Sequence, residues 1–296
     1  MTSTQSGTSA LSPNDEATRA WDGPLYDRWV SFRDVVTTGL VDHGEEGLRA
    51  LAPRPGDRAL DLGCGFGDTA RRLCELVGPR GHVVGVDVAP RFIEAARREA
   101  ADAGVDNASF EVVDVQTGRL PGGFDVAFSR FGTMFFASPV AALRNVRGAL
   151  APGGRLVMVV WRRRQDNDWL YRAQTIVEAM VERPEESDEP TCGPGPFSMA
   201  DADTLSLQLV LAGFRDVTLR RCDLPITFGR DVDEAVELCM MLGPAGETLR
   251  VAGERGAHLH DEVRGRLREG YAEYEGPDGV RAPASTWIVS ATAPRT

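Results

Sequence analysis

The chain is poor in the groups that carry most metal and acid–base chemistry. It has four histidines in 296 residues, and the one pair among them, in His258-Leu259-His260-Asp261, has no complementary Cys or His cluster to complete a coordination shell. No bound metal is therefore expected. Its five cysteines are scattered, without C-x-x-C or finger spacing, which predicts free thiols in a reducing cytoplasm. No apolar run reaches membrane-spanning length, and no apolar segment precedes the first arginine, Arg19, so neither a membrane helix nor a secretory signal is expected. Positive charge is also in deficit. A formal net charge of −11 argues against the basic footprint that nucleic acid requires, and Arg71-Arg72, Arg97-Arg98 and Arg162-Arg163-Arg164 read as solvated helix faces and loop ends. The 42% hydrophobic content is enough for one large core with a cap.

Against these absences stands Arg58-Ala59-Leu60-Asp61-Leu62-Gly63-Cys64-Gly65-Phe66-Gly67-Asp68-Thr69, which reads as a buried strand, a glycine turn and a helix start. Gly63, Gly65 and Gly67 remove the side chains that hold a ligand off bare backbone, small Cys64 sits among them, and a helix beginning near Asp68 points its N–H groups into the same space. The spacing G-x-G-x-G lacks the third fingerprint glycine of dinucleotide enzymes, and Asp61 would repel a pyrophosphate while suiting an ammonium group. A second strand, His82–Asp87, ends in an acidic residue twenty positions after Gly67, where a carboxylate can accept both hydroxyls of a ribose. The segment Phe110–Val115 reads as a third strand carrying Asp114, and Phe124–Ser129 as a fourth. Each aspartate alone would serve equally well as a cap or loop residue. The three in register predict one ligand-binding edge of a parallel sheet.

Helical spacing of Trp21, Leu25, Tyr26, Trp29, Phe32 and Val36 predicts helix from Glu16 to Leu51. Helices are expected at Asp68–Val77, Pro90–Ala103, Pro139–Leu150 and Ser198–Leu211, the last with Ser198 or Asp201 as its cap. Strands are expected at Arg155–Trp161, Arg215–Leu224 and Ala284–Ala291, an exposed loop at Glu182–Pro196, and interrupted helices over 231–275. Strand–helix alternation implies a doubly wound α/β sheet.

These motifs, with Leu150-Ala151-Pro152-Gly153-Gly154-Arg155-Leu156 after the fourth helix, resemble the class I S-adenosylmethionine-dependent methyltransferases. The match is to the branch of ubiquinone/menaquinone-biosynthesis and bacterial small-molecule enzymes. The resemblance implies a mostly parallel, seven-stranded Rossmann-like sheet with an antiparallel last strand and a helical cap. The implied organisation is a disordered tail at 1–13, an N-terminal helical cap at 14–52, the cofactor core at 53–224, a cap insertion at 225–280 and a final strand at 281–296. It also implies S-adenosylmethionine as cofactor, with S-adenosylhomocysteine as product. Asp61, Gly63, Cys64, Gly65 and Gly67 would lie around the methionine part, Asp87 on the ribose and Asp114 on the adenine amino group, with Val88 and Val115 against the adenine faces. Ser129 and Phe131 would line the sulfonium and the acceptor. Arg130 would orient an anionic acceptor or pair with a nearby carboxylate. Tyr26, Trp29, Phe135 and Trp161 are aromatic candidates for the acceptor wall.

The expected activity is methyl transfer to oxygen, nitrogen or carbon of a small molecule in specialised or quinone-like metabolism, with alignment of the reactants supplying most of the rate. No histidine falls where a general base is needed. A cofactor-binding protein that does not methylate, cyclase-like or regulatory, would show the same motifs, and a homodimer is an alternative use for the cap surfaces. Neither a nucleic-acid nor a membrane partner is expected.

Overall fold

The computed structural model describes residues 13–181 and 194–295. Residues 1–12 of the tail expected at 1–13 and most of the loop expected at 182–196 lie outside the described residues, while Pro13 already belongs to a helix. Four short helices open the chain, α1 (Pro13–Asp22), α2 (Pro24–Ser31), α3 (Arg33–Gly39) and α4 (Val41–Leu51). They break at Gly23, Phe32 and Leu40, where the sequence pattern alone suggested one continuous helical stretch. The core then alternates: β1 (Arg58–Leu62), α5 (Asp68–Val77), β2 (His82–Asp87), α6 (Pro90–Asp102), β3 (Ala108–Val112), β4 (Phe124–Arg130), α7 (Pro139–Ala149) and β5 (Leu150–Trp161). After α8 (Asp168–Glu178) and α9 (Ala202–Leu211), a long strand β6 (Arg215–Gly229) leads into α10 (Val232–Leu242), α11 (Pro244–Val251) and α12 (Gly253–Tyr271). A two-residue strand β7 (Glu275–Gly276) then turns into β8 (Gly279–Thr292).

The sheet order is β3-β2-β1-β4-β5-β8-β6, with β7 pairing on β8. Strands β3, β2, β1, β4 and β5 run parallel, while β8 is antiparallel to both β5 and β6. This is the expected doubly wound sheet, enlarged by the small β7 hairpin. Four consecutive residues of β1, Ala59 to Leu62, are buried, which requires helices over both faces, since neighbouring side chains on a strand point opposite ways. Proline opens α6 and α7, where its fixed φ and missing N–H do no harm.

The structure shifts several boundaries, among them the start of β5, which pairs from Leu150 rather than Arg155. Strand β3 ends at Val112, so Asp114 lies beyond it in a turn: its main-chain oxygen accepts from Thr117 and Gly118, and its side chain from the Gln116 N–H and the Thr117 hydroxyl. Those bonds pull the chain off the sheet before the expected strand is complete. Helix α9 starts four residues later than Ser198, because Asp201 is its cap and accepts from Thr204 N–H at 2.8 Å. Strands β6 and β8 each run about five residues longer than their side-chain pattern suggested, through a register that pairs Pro225 with Pro283, so 225–229 are strand rather than the start of the helical insertion.

Every basic side chain apart from histidine is arginine; the sequence contains no lysine. Arg33 of α3 forks onto Asp68 with bonds of 2.7 and 2.8 Å and reaches Glu99 at 2.6 Å, while Arg71 bridges the same two carboxylates. This network seats the N-terminal helices on α5 and α6. Helix α4 is set against the sheet by a different device. A Cβ on Gly47 would come within 2.5 Å of Val159 Cγ2 and 2.9 Å of Phe128 Cε2, so only glycine permits this approach. Gly47→Ala is expected to lower stability by about 1–3 kcal/mol through overpacking; chemical denaturation with an unchanged midpoint would show that α4 can ride outwards freely.

Candidate active site

The turn from β1 to α5 passes through three left-handed residues, Gly63 (φ +66°), Gly65 (+51°) and Gly67 (+78°). Their roles differ. A Cβ on Gly67 would meet Phe110 at 3.0 Å and Ala96 at 3.1 Å, so Gly67 is required by packing at the helix start. A Cβ on Gly65 would meet nothing closer than Phe92 at 4.0 Å, and its free side is cavity. The amides of the turn are largely committed: Gly63 and Cys64 both donate to Val86 O, Gly67 to Cys64 O, and Gly65 to Asp87 Oδ2 at 3.0 Å.

Asp61, Gly63, Cys64, Gly65, Asp87, Val88, Asp114, Val115, Arg130, Phe131, Phe135 and Trp29 line a single cavity beside this turn. The three aspartates thus converge as expected, although Asp61 is the penultimate residue of β1 and Asp114 hangs from the turn after β3. Asp87 accepts from Gly65 and Ala89 amides, and burial nevertheless raises its carboxyl above the usual range. Asp61 is 1% exposed and its Oδ2 has no partner among the described residues. Burial pushes it up to about 7; Arg130 opposes the shift, Asp87 and Asp68 add to it, and the Ala70 amide supplies a compensating bond. A buried carboxyl on the cavity wall, with one oxygen lacking a donor among the described residues, suits an ammonium group. Burial also pushes the Cys64 thiol up, leaving it a small apolar wall rather than a nucleophile.

Three expected residues lie elsewhere. Ser129 is fully buried and donates to Leu62 O at 2.9 Å, clamping β4 to the end of β1. Gly67 faces Phe110 rather than the cavity. Tyr26 packs edge-on against Phe92 at 4.9 Å under the Arg91 guanidinium, outside the cavity wall. His43 is buried and bound to Thr286 Oγ1 and Leu224 O, a brace between α4 and the sheet. Burial lowers its pKa.

A second cavity adjoins the first and shares with it Trp21, Trp29, Val36, Leu40, Phe131 and Phe135. Trp161, Met134, Trp169, Ile226, Phe228 and Leu238 complete much of its wall, and no charged side chain lines it among the described residues. Phe131 sits at the junction with φ +60°, an uncommon conformation for a bulky residue. Its ring stacks on Trp161 with centroids 4.3 Å apart. Arg33 and the second-cavity residues of α8, β6 and α10 escape sequence reading because they come from separate elements with no shared spacing.

The pKa of Asp61 sets a pH dependence. An ordinary aspartate in the unfolded chain ionises near pH 4, whereas the folded protein holds this proton to about 7. Stability therefore falls as pH rises between those values and levels off above them. Asp61→Asn is expected to be more stable than the parent above pH 7, on the order of 2–4 kcal/mol, with the gap closing toward pH 4. Melting curves that show the variant weaker at every pH would mean the Ala70 bond outweighs the burial.

Residues 53–193 match the family described as a methyltransferase domain. The chain is 37% identical over 145 residues to aklanonic acid methyltransferase DauC of Streptomyces sp. strain C5, covering 48% of this chain and 63% of that protein. It is 39% identical over 129 residues to nocamycin O-methyltransferase of Saccharothrix syringae, covering 43% of each. The matched segment thus spans less than two thirds of either relative. Among solved structures, a Haemonchus contortus N-methyltransferase in complex with phosphomonomethylethanolamine and S-adenosylhomocysteine superposes with a TM-score of 0.56 at 15% identity, over 96% of this chain and 61% of that one. At that identity the likeness is one of fold. The segment 53–193, which matches a methyltransferase domain, is also the one that carries the glycine turn and the three converging aspartates.

Proposed function

We propose that the protein transfers a methyl group from S-adenosylmethionine to an apolar, ring-containing small molecule. The observation that carries this reading is the pair of contiguous cavities, one bearing carboxylates beside a glycine turn and one lined only by uncharged and mostly apolar side chains. Bound at the first cavity, the cofactor would supply an electrophilic methyl on a sulfonium. Asp61 would then hold the amino group of its methionine part, Asp87 the ribose hydroxyls and Asp114 the adenine edge, with Val88 and Val115 against the ring. Cys64 and Gly65 leave the space this requires.

Trp29, Phe131 and Phe135 face both cavities, so they would shape the point where acceptor and methyl meet; their π faces are suited to a neighbouring cation. Trp161 supports Phe131 from behind. The helices on either side, α1–α3 and α10, exclude water from this junction, and we assign 14–52 and the helices of 230–280 the part of a cap over the acceptor. Neither cavity is lined by a histidine or tyrosine among the described residues. This favours acceptors whose nucleophile is acidic in its own right, such as a phenol, an enolised dicarbonyl or a carboxylic acid, over aliphatic alcohols. One relative is named for an acid and the other for transfer to oxygen, and both names support the same class.

Incubation with methyl-labelled cofactor and a panel of phenols, enols, carboxylic acids and amines tests the reading; cofactor binding with no transfer to any panel member would favour a non-methylating role. Asp87→Ala is expected to weaken S-adenosylhomocysteine binding by roughly 1.5–3 kcal/mol, the scale of hydrogen bonds to a charged group, and unchanged calorimetric affinity would remove Asp87 from the site. Trp29→Ala is expected to raise the acceptor KM more than it weakens cofactor binding, the pattern of a junction wall whose main contact is with the acceptor. Equal losses for both ligands would instead make Trp29 part of the cofactor seat.

A further inference from the structure

The second cavity holds a polar group that the fold leaves idle. Trp169, in the first turn of α8, is part of its wall. Among the described residues, its indole Nε1 is the one buried side-chain nitrogen or oxygen atom without a hydrogen-bond partner that belongs to this wall. Trp287 shows the same group when it is satisfied: its Nε1 donates to Ala200 O at 2.9 Å. A buried donor with no acceptor carries a desolvation penalty that nothing in the protein offsets. The residue itself is firmly placed. Its carbonyl accepts from the Tyr271 hydroxyl and from Cys239 Sγ, and its ring makes a T-shaped contact with Trp161, centroids 5.8 Å apart, and a tilted one with Phe228 at 5.9 Å. Trp161 in turn stacks on Phe131. Trp169 lines the second cavity but not the first, and it therefore stands one ring beyond Trp161 from the junction at Phe131.

We propose that Trp169 is a specificity-determining residue whose indole N–H donates to a ketone oxygen on the part of the acceptor remote from the methylated atom. The preferred acceptor is then a phenol or enol whose ring system also carries a ketone. This deepens the acceptor reading above and rests on it. An indole N–H can only donate, so its partner is an oxygen with a free lone pair. No charged side chain lines the cavity among the described residues, which makes a carboxylate costly to bury there. A ketone oxygen is neutral, and unlike a hydroxyl it brings no proton that needs an acceptor of its own. The N–H is sealed from solvent in this structure, so contact takes a side-chain adjustment as the acceptor enters, a change common on binding.

The test uses two ligands that differ only in a carbonyl against a methylene, 6-methoxy-1-tetralone and 6-methoxytetralin. Both are methyl ethers, so ionisation of a phenol plays no part. Each is titrated into the full-length protein saturated with S-adenosylhomocysteine, followed by calorimetry and by heteronuclear NMR of the indole N–H groups, of which the chain has five. The parent is expected to bind the ketone about tenfold more tightly, with one indole proton moving downfield. Trp169→Phe keeps an aromatic ring between Trp161 and Phe228. It identifies that signal by its loss and is expected to bring the two affinities within about twofold of each other. A preference that survives in Trp169→Phe, or a bound ketone that leaves the Trp169 indole signal unmoved, overturns the proposal and makes Trp169 a packing residue. Should Trp169→Phe fail to fold, the parent's preference and a downfield indole shift produced by the ketone alone decide, and the absence of either overturns the proposal. A parent protein that binds neither ether overturns the ring-acceptor reading of the cavity itself, an outcome distinct from binding both alike.

Discussion

Three residues in the left-handed conformation within five positions carry the chain from β1 into α5, and most of the site hangs from that bend. Gly63 lies 3.1 Å, by its absent Cβ, from Gly132, so the bend also dictates how closely the loop after β4 approaches. Gly67 starts the helix against Phe110 and Ala96, and Gly65 leaves open the space between. With the bend in place, Asp87 is tied to it through the Gly65 amide, Asp61 is sealed below it, and Phe131 is brought opposite. A side chain at any of the three positions would meet φ values that L-residues adopt at a penalty of order 1–3 kcal/mol.

The buried charges are arranged in two different ways. Asp68, Glu99, Arg33 and Arg71 satisfy one another and act as mortar between the N-terminal helices and the core. Asp61 Oδ2 has no donor among the described residues, and Arg130 comes only within 4.0 Å of Asp68, at a cost that the folded protein bears unless a ligand neutralises them. Folding strength and binding strength therefore pull against each other at a single pair of side chains. Burial lowers the Arg130 guanidinium from its ordinary value, with Asp68 and Asp61 acting against the shift, which places the guanidinium among the groups whose charge is least comfortable in the absence of an anion.

Much of the core was legible in the sequence because its signals are local. The glycine spacing, the acidic residue after β2 and the prolines at helix starts each specify a backbone conformation within a few residues. Asp114 escaped by two positions because an aspartate at a strand end and one capping a turn look alike until its hydrogen bonds are seen. Ser129 and Tyr26 show the limit of periodicity. The pattern puts them on a buried face but does not say which layer, and the structure turns one toward Leu62 O and packs the other behind Phe92. The second cavity was least legible of all. Its walls come from α1, α2, α3, β5, α8, β6 and α10, and no window of sequence holds more than a fragment of it.

The arginine-only seat of the N-terminal helices has a consequence for how they respond to their surroundings. Guanidinium groups keep their charge throughout any working alkaline range. Asp68 is held below the usual carboxylate range: burial would raise it, but the fork from Arg33 and the charges of Arg130 and Arg71 outweigh that. A carboxyl with a depressed folded pKa contributes stability above its ordinary titration range and loses it only as the solution becomes strongly acid. The seat therefore has no proton-driven release between mild acid and strong alkali. Dissolved salt reaches it more readily than pH, because these pairs are only partly buried and lie within reach of screening ions. Ionic strength, rather than acidity, is the variable to which the attachment of α3 to the core is tuned.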